Sequence, residues 1–260
     1  MSPSAPIGVF IPTATPPEQV PSIAAYAEEL GFREVWVAEE FFAQGGFTVA
    51  ALVLGATRRV LVGVGVVPAV VRHPAATAME IATLARAYPG RFVPGIGHGL
   101  PMWTDQMGIT ARSPLTALRE CVTAVRTLLG GGVIDVEGKQ FTAHSIQLTH
   151  PVAEEVPILT GVLGPKSLRL SGEIADGTIM SILAGPKYIE SSLERIRPAV
   201  RDRGHDRPPR SLRGRGAAHD AVLGWCAAHG HRPDGTRWEV YGPHDDDPAR
   251  QWVEVYWLLS

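Results

Sequence analysis

Four short apolar runs constrain this chain most. "IGVFIP" (7–12), "EVWVAE" (34–39), "RVLVGVGVV" (59–67) and "RFVPGIG" (91–97) are rich in β-formers and end near residues 11, 39, 67 and 97. The step of about 27–30 residues is one strand plus one returning helix. The intervening text agrees. "PPEQVPSIAAYAEELG" sets Val20, Ile23, Ala24, Ala27 and Leu30 at helical spacing and stops at Gly31. Helices are also predicted over 47–57, over "AATAMEIATLARAYPG", and over 114–129, where Leu115, Leu118, Cys121, Val122, Val125, Leu128 and Leu129 share one side. A hairpin excursion is read near 130–150. A strand (156–161), a helix ("GPKSLRLSGEIA"), a strand (176–183) and a helix ("GPKYIESSLERIRPAV") follow.

Strands alternating with helices imply a parallel α/β sheet, either doubly wound or closed as a TIM (β/α)8-type barrel of ~250 residues. A chain of 260 residues suffices for one such domain. No G-x-G-x-x-G turn follows the first strand, where "FIPTATPP" stands, and this disfavours the open sheet. In a barrel, chemistry gathers at the C-terminal ends of the strands. Glu39-Glu40, Pro68, His98 and Thr160-Gly161 all fall there.

The formal net charge of −2 points to neither nucleic acid nor an anionic membrane surface. No apolar run approaches ~18 residues, so no membrane span is expected. The opening "MSPSAPIGVFIP" lacks the basic and apolar regions of a signal peptide. Cys121 and Cys226 form no metal or redox motif, which favours a reducing, cytoplasmic setting.

Several residues can carry chemistry. Neighbours on a strand point to opposite faces, so one of Glu39 and Glu40 can face the mouth as proton donor, acceptor or clamp. In "GIGHG" (95–99) the glycines allow close approach of a planar ligand, and His98 offers hydrogen bonding or acid–base chemistry. No metal site is expected, because no second His or Cys lies at ligand spacing. "LTGVLGPKSL" (159–168) runs from strand through a glycine turn into a helix. Its free N–H groups, with Lys166 and Ser167, suit an anion; an ordinary βα turn is the competing reading. Arg72 can pair with an anion or inside the fold, and His73-Pro74 suits a helix start.

"GFREVWVAEEF", "VGVGVVPAVVRHPAATAMEIATLA", "PGRFVPGIGHG", "SPLTALRECVTAVRTLL" and "VPILTGVLGPKSLRLSGEIADGTIMS" together resemble the bacterial luciferase-like monooxygenase superfamily. The resemblance is to its branch of F420-dependent oxidoreductases, which includes methylenetetrahydromethanopterin reductase, and it covers about residues 6–200. It implies a TIM-type barrel, usually dimeric, acting on a small molecule. The deazaflavin coenzyme F420, or FMN as the alternative, would sit against a bulge in strand three. Related enzymes carry a non-prolyl cis peptide in that bulge, and the matching bond is Gly65–Val66, with Pro68 just beyond. The resemblance also implies that Glu39 stands where relatives carry an aspartate and Glu40 where many carry a histidine. Glu40 and His98 become the catalytic candidates. Glu39, Gly65, Val66, Pro68, Gly97, Thr160, Gly161, Gly164, Pro165, Lys166 and Ser167 become the cofactor candidates, with "GPKS" matching the phosphate turn. The implied reaction is hydride transfer at the deazaflavin C5.

The resemblance divides the chain into a barrel core (1–205) and a divergent segment (206–260). From Arg201 onward lie five of nine histidines and four of six tryptophans, and apolar periodicity is poor. A helix around 217–228 and a strand or helix at 251–259 are the only elements read there, so the barrel is expected to be incomplete. A changed reading frame in a GC-rich gene would produce such text. Two further readings follow, a catalytically impaired cofactor-binding barrel and a non-redox barrel using the 161–167 turn for a substrate phosphate.

Overall fold

The structure, a computed structural model, describes residues 7–180, 184–202, 233–241 and 253–259. Strands β1 (Ile7–Phe10), β2 (Glu34–Val37), β3 (Leu61–Pro68) and β4 (Phe92–Gly97) alternate with helices α1 (Val20–Glu29), α2 (Gly46–Ala56) and α3 (Pro74–Ala87). A short helix α4 (Pro101–Gln106) and the long α5 (Pro114–Leu129) follow. Then come the hairpin β5 (Ile134–Glu137) and β6 (Thr142–Ile146), β7 (Leu159–Gly161), α6 (Pro165–Ile174), β8 (Gly177–Ile179) and α7 (Pro186–Asp202). The last described strands are β9 (Pro233–Tyr241) and β10 (Val253–Leu259).

The strands pair in the order β1-β10-β9-β8-β7-β4-β3-β2 and the circuit closes. Six of them, β1 to β4 with β7 and β8, form a curled parallel sheet. Strand β9 runs antiparallel to both β8 and β10, while β10 is parallel to β1. The sheet edges left by six βα units are therefore covered by a hairpin pairing, where incomplete closure was expected. Of the strand or helix read at 251–259, the strand is present, as β10. The helix read around 217–228 lies outside the described residues.

Alternation along each strand builds two cores. Val35, Val37, Val62, Val64, Phe92 and Ile96 face the helices in the main core, with Leu118, Val122, Val125 and Leu128 of α5. Burying each such side chain is worth roughly 1.5–3 kcal/mol. The opposite residues, Trp36, Val93, Leu159 and Ile179, fill the barrel interior with Phe10, Leu61 and Val66. Gly63 exists for Trp36: a Cβ there would meet the indole at 2.4 Å. Trp36 Nε1 donates to the buried Glu34 carboxylate at 3.0 Å.

The hairpin excursion is tied down at its turn. Glu120 of α5 accepts the backbone N–H groups of Lys139 and Gln140, each at 2.9 Å. His73 caps α3 by accepting from Ala75 N–H at Nδ1, and its Nε2 reaches the Thr142 carbonyl at 2.9 Å. "RHP" thus starts a helix, as its Pro74 suggests.

Candidate active site at the barrel mouth

At the C-terminal end of β3 the ladder to β4 slips. Val64 pairs with Pro94 and Val67 with Ile96, so Gly65 and Val66 together oppose Gly95. One extra residue on one strand is a β-bulge, a device that redirects side chains. The Gly65–Val66 peptide is cis, as is Phe41–Phe42. At this bulge Val66 points inward beside Gly65, and three glycines make room for it. A Cβ on Gly95, Gly97 or Gly161 would come within 3.0, 2.6 and 2.6 Å of its methyl groups. The glycines that the sequence offers as a ligand platform therefore form, from the strand side, a notch for the bulge.

The acidic pair divides as strand alternation requires. Glu39 is buried, its side chain 1% exposed. Arg72 Nη1 and Nη2 donate to its two oxygens at 2.6 and 2.5 Å, and Gly46 N–H of α2 donates at 3.0 Å. The guanidinium lies 5.6 Å over the Phe47 ring and 3.5 Å from the Glu80 carboxylate. Its hydrogen bond to Glu39 holds Arg72 above the ordinary arginine range, against the effect of burial. Glu39 and Arg72 thus form a complete internal pair. Glu40 turns the other way. It accepts from the Thr13 hydroxyl after β1, and its backbone closes a small loop with Gln44.

Across the mouth, His98 Nε2 lies 2.9 Å from Ser167 Oγ at the start of α6. Burial pushes the His98 imidazole below the ordinary histidine value, with the Pro114 carbonyl acting the other way. Gly99, at φ +79°, turns the chain out of the strand against Pro68. A cavity of about 160 Å³ lies beside His98, lined by Val70, Thr104, Asp105, Ile109 and Pro114 among others. Pro165 is the first residue of α6, capped by Gly164, so the N–H groups of Lys166 and Ser167 lie ahead of the helix's own ladder. Tyr188 of α7 donates to the Leu163 carbonyl at 2.8 Å and pins this turn.

The structure thus gathers Glu40, His98, Gly65, Val66, Pro68, Gly97, Gly161 and the Gly164–Ser167 turn around one mouth. It gives two candidates other partners. Glu39 is spent on Arg72. The Thr160 side chain turns away from the interior, donating to Ser171 at 2.7 Å, and Ser171 meets Thr178 at 2.5 Å. Sequence reasoning did not single out Thr13, Phe41, Phe42 or Trp103. Phe41 and Phe42 were readable as aromatics just after the second strand; Thr13 and Trp103 carry no such mark. A second cavity, of about 330 Å³ and lined by Leu61, Arg86, Phe92 and Val152–Pro157, lies at the opposite end of β3 and β4 and holds none of the candidates.

Among the described residues, no helix is long and apolar enough to cross a membrane. Residues 4–219 match the family model "Luciferase-like monooxygenase". A 5,10-methylenetetrahydromethanopterin reductase of Methanolobus tindarius is 29% identical over 197 residues, 76% of this chain and 60% of that protein. An F420-dependent glucose-6-phosphate dehydrogenase of Nakamurella multipartita is 32% identical over 201 residues, 72% of this chain and 59% of that protein. This chain therefore spans about 60% of the length of these curated relatives. Among solved structures, an F420-dependent secondary alcohol dehydrogenase in complex with an F420–acetone adduct superposes with TM-score 0.73 at 25% identity, covering 78% of this chain and 66% of that one. A bulged third strand, a closed barrel with six parallel strands and a match over residues 4–219 agree: this chain belongs to the luciferase-like monooxygenase family.

Proposed function

We propose that this chain is an oxidoreductase that binds coenzyme F420 at the barrel mouth and exchanges a hydride with a small organic substrate. The observation that carries this reading is the β3 bulge. It brings the backbone of Gly65 and Val66 inward at the mouth, where one face of a planar ring could rest. The names of the relatives, F420-dependent enzymes among them, support the choice of cofactor. The residues present fit the group: the bulge would back the ring, and Lys166 with the first N–H groups of α6 would hold an anionic tail. When bound, the deazaflavin supplies hydride chemistry at its C5. The chain's own residues do the rest. Glu40, oriented by Thr13, offers a carboxylate that accepts or returns a proton. His98, kept neutral near pH 7 by burial and oriented by Ser167, contributes a directed hydrogen bond.

The proposal includes a cytoplasmic homodimer with no nucleic-acid partner; sedimentation velocity tests the dimer. Titration of the purified protein with F420 and with FMN, followed by fluorescence quenching, tests the cofactor. Saturable quenching of F420 alone supports the reading, and a protein that purifies yellow and binds FMN replaces it with the monooxygenase variant. Binding of neither leaves the impaired barrel.

A further inference from the structure

The rim of the mouth bears on what kind of molecule meets the cofactor. Three βα loops on the C-terminal face present large apolar side chains to solvent: Phe42 after β2 (67% exposed), Leu100 and Met102 after β4 (48% and 63%), and Leu163 after β7 (56%). These are not scattered surface residues. Phe41 packs on Phe42 at 6.0 Å and edge-on to Trp103 of α4 at 6.2 Å, which ties the first two loops together. Trp103 N–H bonds the Leu100 carbonyl at 3.0 Å, fixing Leu100 as the cap of α4. The rim is continuous in sequence with the candidate groups, since Glu40 directly precedes Phe41 and His98 lies two residues before Leu100. Exposed apolar surface joined to a site marks what that site binds. Arg72, six residues beyond the bulge, is already paired with Glu39 and Glu80.

We infer that the Phe42–Trp103–Met102 rim is a substrate-binding lip that selects an uncharged, largely apolar organic molecule over a sugar phosphate. The inference deepens the proposed function and rests on the same mouth.

The test uses the neutral apolar fluorophore N-phenyl-1-naphthylamine on the full chain, with F420 titrated separately. The wild type should bind the dye saturably, and millimolar glucose 6-phosphate should leave it in place. Removing one such side chain from an apolar contact costs roughly 1.5–3 kcal/mol, so Phe42→Ser with Met102→Ser should weaken dye binding at least about tenfold. Its F420 affinity and sedimentation coefficient should stay those of the wild type. Leu52→Ser, on the outer face of α2, should bind the dye normally. The inference is overturned if the double variant binds dye like the wild type, if Leu52→Ser loses it equally, or if glucose 6-phosphate displaces it. It is also overturned if the double variant changes oligomeric state, which would make the rim an interface between copies. Loss of F420 binding by the wild type, with the dye results as expected, would sink the cofactor proposal and leave the lip standing.

Discussion

Glu39 and Glu40 are adjacent, yet they belong to two regions built on opposite rules. Behind the sheet, toward α2, α3 and α6, polar groups are buried and matched. Glu39 takes two bonds from Arg72 and one from Gly46, and Thr160, Ser171 and Thr178 close a hydroxyl chain. In front of it, at the mouth, among the described residues Glu40 has a single side-chain partner and His98 bonds through one ring nitrogen, while Phe42 and Met102 stand in solvent. A buried charge left without its partner costs several kcal/mol, so the wall must satisfy itself. The mouth can leave bonding capacity open for a ligand. Residue type alone separates function from scaffold poorly here; the direction a side chain leaves its strand separates them well.

Arg72→Ala should break the wall most severely. It leaves the Glu39 carboxylate buried without its cation, and a loss of about 3–5 kcal/mol in urea denaturation is expected; a loss under about 1 kcal/mol would mean the pair is not structural. Thr160→Val keeps shape and removes one donor from the hydroxyl chain, for roughly 1 kcal/mol by the same measurement.

His98 sharpens the contrast through pH. Its folded value lies below the ordinary histidine value of about 6.5. Below that pH the unfolded chain takes up the proton before the folded one does. The contribution is therefore fully present above about pH 6.5 and is lost as pH falls through the lower folded value. Urea midpoints of His98→Gln should fall less than those of the wild type over that acid window; parallel curves would contradict the burial argument. The smallest stability effect is expected in the mouth itself. Glu40→Gln keeps an acceptor for Thr13 and should change stability by no more than about 0.5 kcal/mol.

Much of this frame was legible in the sequence. The βα step announced the parallel strands, and α5 runs over Pro114–Leu129 as its apolar spacing indicates. Helix α4 escaped because six residues, "PMWTDQ", complete too few turns for a period to register. Strand β9 escaped, and β10 reads only as a strand or a helix, because they pair with β8 and β1, far away in sequence. In the site, the Gly65–Val66 bulge followed from the family resemblance and the cap role of His73 from its proline. The partner of Glu39 did not, since Arg72 is 33 residues away and nothing local distinguishes Glu39 from Glu40. Nor did the purpose of Gly95, Gly97 and Gly161. What they face depends on the register shift opposite them, which redirects one valine.

That valine offers the most direct test of the claim that the bulge backs a deazaflavin. A Cβ on Gly161 would stand 2.6 Å from Val66 Cγ1, so Gly161→Ala must displace Val66 and the bulge with it. Overpacking of this kind costs about 1–3 kcal/mol, which a domain of this size can survive. Fluorescence titration of F420 into wild type and Gly161→Ala, both shown to be folded by thermal unfolding, reads the consequence. Saturable binding to the wild type and at least about tenfold weaker binding to the variant are expected. Equal affinity in the two proteins, or no binding to the wild type, would contradict that claim.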